Sequence, residues 1–191
     1  TRYESSAASD VYKRQVDVPV KVNLVEVGPR DGFQSVTAFI PTREKEEIIR
    51  GLHDSGLSRI EITSVVSEKA VPQLSDAKRI IHDGNQLSAC RSQILVPNLR
   101  HAERALDFGA KKLVFVLSAS PTHNQHNVRL SVEDSVAQLK AIHAMHPPET
   151  SMRVNIATAL DCPFEGAMCV SKVTNLADEI LAISSNVEIA I

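Results

Sequence analysis

The sequence has few cysteines: Cys90, Cys162 and Cys169 are the only three in 191 residues. An odd count at that density does not build the paired framework of a small secreted scaffold, so a reducing, cytoplasmic setting is the expectation. Long apolar runs are missing as well. No stretch of about 20 continuous apolar residues exists to span a bilayer, which sets aside a membrane partner. Charge of one sign is also absent. The 21 Lys and Arg and the 23 Asp and Glu are interspersed and sum to −2, so no basic stripe points to nucleic acid. Nor does a Gly-x-Gly-x-x-Gly follow the first predicted strand, which weakens a dinucleotide-binding reading.

What is present suits one globular domain. Hydrophobic residues make up 43% of the chain, and its length allows a substantial core but not two domains of ordinary size. Residues 1–15 stand apart. The stretch from Ser5 to Gln15 has neither a helical nor a strand period and no signal-peptide core, and it resembles a translated sequencing adapter. We expect residues 1–15 to be a disordered, non-native tail and the fold to occupy 16–191. The apolar end at Asn186, Val187, Glu188, Ile189, Ala190 and Ile191 reads as a strand without a turn after it, so truncation at both ends is expected.

Between these limits, strand and helix patterns alternate. Leu24, Val25 and Val27 form a short apolar run stopped by Gly28 and Pro29. Further strands are predicted at 57–64, 92–96, 112–117, 153–158 and 186–191. Helices are predicted after Thr42 as N-cap, over 75–83, over 101–108, after Ser131 as N-cap and after Ser171 as N-cap, with Gly56 and Gly109 as stops. Residues 118–129, holding His123, Asn124, His126 and Asn127, read as a polar loop. Such alternation predicts a parallel α/β fold, either an open doubly wound sheet or a TIM barrel. Reactive groups at the ends of several different strands favour the barrel.

Those groups are Arg30 and Asp31 with Gln34, Glu61 with Ser64, the Asn98 turn, and the 118–129 loop. Arg30 carries a planar charge with five donors, suited to a carbonyl or a developing enolate. An Arg–Asp pair that merely stabilises a turn is the alternative. Glu61 lies inside a strand between Ile60 and Ile62, where an unpaired carboxylate costs several kcal/mol. It is expected to point into a barrel and pair with Arg30; an exposed strand face is the alternative. Asp31 alone is too few ligands for a divalent cation, which takes about six.

The segments VEVGPRDGFQ (25–34), RIEITSVVSEKAVPQLSD (59–76), VPNLRHAERALDFGAKKLVFVLSAS (96–120) and ATALDCPFEG (157–166) together resemble the 3-hydroxy-3-methylglutaryl-CoA lyase family of DRE-TIM metallolyases. The resemblance covers residues 20–191 and implies a TIM barrel truncated after about six strands. It implies catalytic roles for Arg30 and Glu61, a metal-ligand role for Asp31 and substrate contacts for Gln34 and Ser64. It further implies a Mg²⁺ or Mn²⁺ ion, an acyl-CoA substrate, retro-Claisen cleavage to acetyl-CoA and a homodimer. A His-x-His pair, an asparagine and a catalytic cysteine loop would follow Ile191, leaving these 191 residues inactive alone. Two departures leave the acyl group open: Ser35 and Val36 stand where the family has Asn-Glu, and Asp161 replaces a glycine. A Claisen-type synthase, an aldolase or a non-catalytic fragment with open sheet edges are the alternatives. His123, His126, His143 and His146 are read as loop or surface residues, and Cys162 as a packing residue.

Overall fold

The computed structural model describes residues 23–88 and 91–191; the 1–15 tail lies outside them. Seven strands form among the described residues: β1 (Arg59–Ser64), β2 (Arg91–Val96), β3 (Lys112–Ser118), β4 (Ser151–Ala157), β5 (Asp161–Cys162), β6 (Gly166–Ala167) and β7 (Glu188–Ala190). Six α-helices accompany them: α1 (Thr42–Asp54), α2 (Ala77–Gly84), α3 (Leu99–Asp107), α4 (Pro121–Val128), α5 (Val132–Met145) and α6 (Val170–Ile183). One sheet runs β1-β2-β3-β4-β7, parallel throughout, and β5 pairs with β6 in a small antiparallel hairpin.

The large sheet keeps its strands in chain order, with helices between them. A doubly wound sheet reverses its order at a switch point. No reversal occurs here, so the sheet is an arc of a TIM barrel. The predicted first strand is reduced to one parallel bridge, Glu26 to Ile60. There the Glu26 N–H donates to the Arg59 carbonyl at 3.0 Å and the Glu61 N–H to the Glu26 carbonyl at 2.7 Å. It adds a sixth strand position beside β1.

Alternation along each strand sorts the side chains. On β3, Leu113, Phe115 and Leu117 face the helices and pack with Ile80, Ala105, Leu139 and Ile142 in one core. Each large aliphatic or aromatic side chain buried this way contributes about 1.5–3 kcal/mol. Gly84 lets α2 approach β1 closely, since a Cβ there would lie 2.5 Å from Ile62 Cδ1. The opposite face is mixed, with Val114 and Val116 on β3, and it carries Glu61, Gln93 and Arg153 on the neighbouring strands. On β1 the register against β2 shifts between Glu61 and Thr63, a bulge of the kind that re-aims side chains near functional sites.

Several local expectations need correction. Residues 28–32 are a π-helical turn, Gly28–Gly32, because Pro29 takes the N-terminal position that needs no N–H. Residues 118–129 are not a loop. Ser120 accepts from the His123 N–H at 3.1 Å and Pro121 follows, which starts α4 despite its weak apolar period. Thr42 is the first residue of α1, not its cap; Pro41 stands there, and the Thr42 hydroxyl donates to Asp76 instead. Ser171 lies inside α6, whose N-cap is Cys169. Ser131 does cap α5, accepting from the Asp134 N–H at 3.0 Å. Gly56 and Gly109 close α1 and α3 at φ +100° and +90°, where a Cβ would be strained.

Candidate active site

The π-helical turn delivers Arg30. The Arg30 and Asp31 N–H groups both donate to the Val27 carbonyl, at 3.0 and 2.8 Å. Gly28 donates to Glu26 Oε1 at 2.6 Å, and a Cβ on Gly28 would sit 2.9 Å from that same oxygen. A side chain at position 28 would push the Glu26 carboxylate aside and disturb this bond. The turn thus fixes where the next two side chains start.

Glu61 is the centre. It is 0% exposed, and both of its oxygens are taken. Arg30 donates through Nε to Oε1 at 2.5 Å, and Arg153 from β4 donates through Nη2 to Oε2 at 2.8 Å. Arg30 also donates through Nη1 to Asp31 Oδ1 at 2.8 Å. Two guanidinium groups and two carboxylates therefore balance in charge, which offsets the desolvation a lone buried carboxylate would suffer. Held on two sides, the Arg30 guanidinium is fixed in direction, yet its Nη2 has no protein partner among the described residues.

Sequence reasoning did not single out Arg153. Its signal was a charge between Met152 and Val154 in a strand, the same pattern that marks Glu61. Around this pair lie further buried polar atoms. Thr63 Oγ1, Gln93 Oε1 and Nε2, Arg153 Nε and Asn155 Oδ1 lack partners among the described residues. Gln93 stands directly beside Glu61 in register. Unpartnered buried amides and hydroxyls are costly, about 1–3 kcal/mol each, and mark an interior built to receive polar groups.

A second cluster caps the same C-terminal end of the strands. Ser118 Oγ lies 2.7 Å from His123 Nδ1, and His126 stacks on Phe164 with ring centres 4.7 Å apart. Glu165 Oε1 accepts from the Thr122 N–H at 2.9 Å and the Ser120 hydroxyl at 2.8 Å. These donors, the Thr122 hydroxyl foremost, hold the Glu165 carboxyl down to about 2. Cys162 is buried with its sulfur 3.0 Å from the Ser120 hydroxyl. Burial pushes this thiol up, but the Ser120 hydroxyl and the N–H groups of Phe164 and Glu165 outweigh it and leave it below its ordinary range. Thr158, at φ 54°, turns the chain away from β4. Such a β-branched residue in left-handed geometry stores about 1–3 kcal/mol of strain.

Arg30, Asp31 and Glu61 are thus brought together, while Ser64 and Gln34 are not. Ser64 is buried and its hydroxyl donates to the Leu95 carbonyl at 3.0 Å. Gln34 is exposed at the edge of a cavity of about 330 Å³ that Phe39 and Gln73 also line. Asn98 caps α3 by accepting from the His101 N–H at 3.1 Å. A larger cavity, about 500 Å³, opens at the opposite end of the strands between Arg91 and Lys112, away from this chemistry. The Asp31 side chain is 65% exposed, open to an oxygen-seeking ion. Among the described residues, however, no group of three or more His, Cys, Asp or Glu side chains could hold a metal. This donor set does not by itself fit a Mg²⁺ or Mn²⁺ ion.

Residues 21–190 match the family model described as HMGL-like. The chain is 37% identical over 164 residues to the mitochondrial hydroxymethylglutaryl-CoA lyase of Arabidopsis thaliana, covering 85% of this chain and 35% of that protein. It is 35% identical to the cytoplasmic 3-hydroxy-3-methylglutaryl-CoA lyase of Rattus norvegicus, covering 85% and 48%. The chain therefore spans half or less of the length of these relatives. Among solved structures, it superimposes on an HMG-CoA lyase from Acinetobacter baumannii in complex with coenzyme A and 3-methylmalate, with TM-score 0.82 and 35% identity, over 88% of this chain and 55% of that one. It likewise superimposes on a hydroxymethylglutaryl-CoA lyase from Pseudomonas aeruginosa, with TM-score 0.83 and 31% identity, over 91% and 59%.

Proposed function

The chain belongs to the HMGL-like family, and from that premise we propose that the whole protein is a carbon–carbon lyase acting on 3-hydroxy-3-methylglutaryl-CoA or a related 3-hydroxyacyl-CoA. One observation carries this reading: Arg30 is clamped by the buried Glu61 and by Asp31 while its Nη2 stays unengaged. In retro-Claisen cleavage a base takes the proton of the 3-hydroxyl, the bond between C2 and C3 breaks, and a keto acid forms. The bonding pair leaves on C2 as the enolate of acetyl-CoA, which a proton then quenches. The unengaged N–H groups of Arg30 suit the thioester oxygen on which that negative charge develops. Because the guanidinium is already oriented, little reorganisation is needed as the charge appears. Glu61 and Arg153 act one step back, keeping Arg30 in place. The unpartnered Gln93 and Asn155 offer hydrogen bonds to the acyl portion.

A divalent ion, Mg²⁺ or Mn²⁺, belongs to this proposal, with Asp31 as one ligand and further donors from outside the described residues. It would lower the cost of the alkoxide. Residues 1–191 alone are expected to bind such an ion weakly and to turn over nothing. A cytoplasmic setting and a homodimer are part of the same reading, though the relatives are named from both mitochondria and cytoplasm. The test is acetyl-CoA release from 3-hydroxy-3-methylglutaryl-CoA and related 3-hydroxyacyl-CoAs by the whole protein. Release that falls about 10²–10³-fold in Arg30→Gln is expected. No release from any of them, or release unchanged in Arg30→Gln, would overturn the reading.

A further inference from the structure

His143 and His146 close the C-terminal end of α5, on the side of the barrel arc away from Arg30 and Glu61. His143 lies in the last turn, and His146 is the C-cap, where the chain leaves helical geometry at ψ 141°. Their rings meet edge-on, 5.0 Å apart at 67°. His143 Nδ1 is 3.1 Å from His146 Nε2, and His146 Nδ1 is 2.9 Å from the Pro147 carbonyl oxygen. A carbonyl only accepts, so the proton of neutral His146 sits on Nδ1 and its Nε2 offers a lone pair. His143 then donates from Nδ1, which leaves its own Nε2 unprotonated.

We propose that this pair is a binding site for a divalent transition cation of the imidazole-preferring class, Zn²⁺, Cu²⁺ or Ni²⁺. Three features of the geometry converge on it. Two nitrogens each about 2.0–2.1 Å from one ion stand about 2.9–3.4 Å apart for bond angles between right-angled and tetrahedral, and the observed 3.1 Å lies inside that span. The carbonyl that takes the His146 Nδ1 proton is the outer partner that metal-bound imidazoles use, fixing tautomer and ring direction. The site also sits at the negative end of a 14-residue helix, where a cation is favoured.

Loading needs no oxidant and no strong base. The His143 proton moves from Nδ1 to Nε2, which frees Nδ1 for the ion. With no group of three or more ligating side chains among the described residues, water completes the coordination. A cavity of about 350 Å³ beside the two rings, lined also by Thr150, Ser184 and Asn186, has room and oxygen atoms for that water. Hard Mg²⁺ prefers oxygen donors, so this site is separate in place and in selectivity from any ion held through Asp31.

The experiment titrates the whole protein with Cu²⁺ and with Zn²⁺ in excess Mg²⁺, scoring stoichiometry against a competing indicator and the Cu²⁺ centre by electron paramagnetic resonance. Asp31→Asn should keep one equivalent, with nitrogen splitting from two imidazoles. His143→Gln and His146→Gln should each lose that equivalent while their circular dichroism stays unchanged. Identical stoichiometry and spectra in Asp31→Asn with and without His143→Gln would overturn the proposal, as would displacement of the equivalent by Mg²⁺. Neither result depends on lyase turnover, so failure here leaves the proposed function standing, and the reverse holds.

Discussion

Arg153 donates through Nη2 to Glu61 Oε2 at 2.8 Å, joining β4 to β1 across 92 residues of chain. Both side chains are buried, at 8% and 0% exposure. Removing Arg153 leaves Glu61 Oε2 buried without a donor, while Oε1 keeps Arg30. Arg153→Met should therefore destabilise the whole protein by about 1–3 kcal/mol in urea unfolding. A change below about 1 kcal/mol would mean that water reaches Glu61.

Arg30→Lys separates charge from geometry. Lysine keeps the positive charge but lacks the planar fork that donates to Glu61 Oε1 and Asp31 Oδ1 together. Turnover by the whole protein is expected to fall by about 10²-fold, mostly in kcat. Full activity in the lysine variant would show that charge alone suffices.

Lys45 is a second buried charge, on α1. It is 1% exposed; its ammonium lies 2.9 Å from Asp76 Oδ2 and 4.3 Å from the centre of the Phe39 ring, and it also donates to the Gln73 carbonyl. Lys45→Met strands Asp76 and should cost about 3 kcal/mol. Combined with Asp76→Asn, the double variant should recover part of that loss. Additive losses in a double-mutant cycle would rule out coupling.

Glu165 sets a pH dependence in the 161–167 hairpin. Its folded value of about 2 lies below the ordinary 4.5, so the fold favours the ionised form. The contribution is complete above pH 4.5 and fades as pH falls towards 2. Amide exchange at Thr122, whose N–H donates to Glu165, should accelerate across that window. In Glu165→Gln the same exchange should not change with pH beyond its intrinsic rate; a persisting step would assign the effect to another group.

The sequence was most informative where one physical demand acted alone. A carboxylate between Ile60 and Ile62 has to be paired if the strand is buried, and Glu61 is, with Arg30 as partner. Strand order, the stops at Gly56 and Gly109 and the Ser131 cap were legible for similar reasons. Arg153 bears the same signature as Glu61, but finding its partner requires knowing that β1 and β4 face one interior. Lys45 stands among Arg43, Glu44, Glu46 and Glu47, so it looks solvated, and its burial depends on α1 packing against Asp76. Helix α4 is stabilised by its Ser120 cap and by Asn124, which donates to the Leu130 and Ser131 carbonyls. An apolar period would not reveal it. The substrate contacts of Ser64 and Gln34 rest on the family resemblance alone; in the fold Ser64 bonds to the Leu95 carbonyl and Gln34 is exposed.

The bond between Glu61 and Arg153 also has a meaning in time. A ribosome adds about 5–20 residues per second, so Arg153 emerges roughly 5–18 seconds after Glu61. Until then half of the carboxylate's neutralisation does not yet exist. The interior of the barrel arc around β1 therefore cannot complete this pairing until β4 has been made, so the last partner of Glu61 is set by the order of the chain.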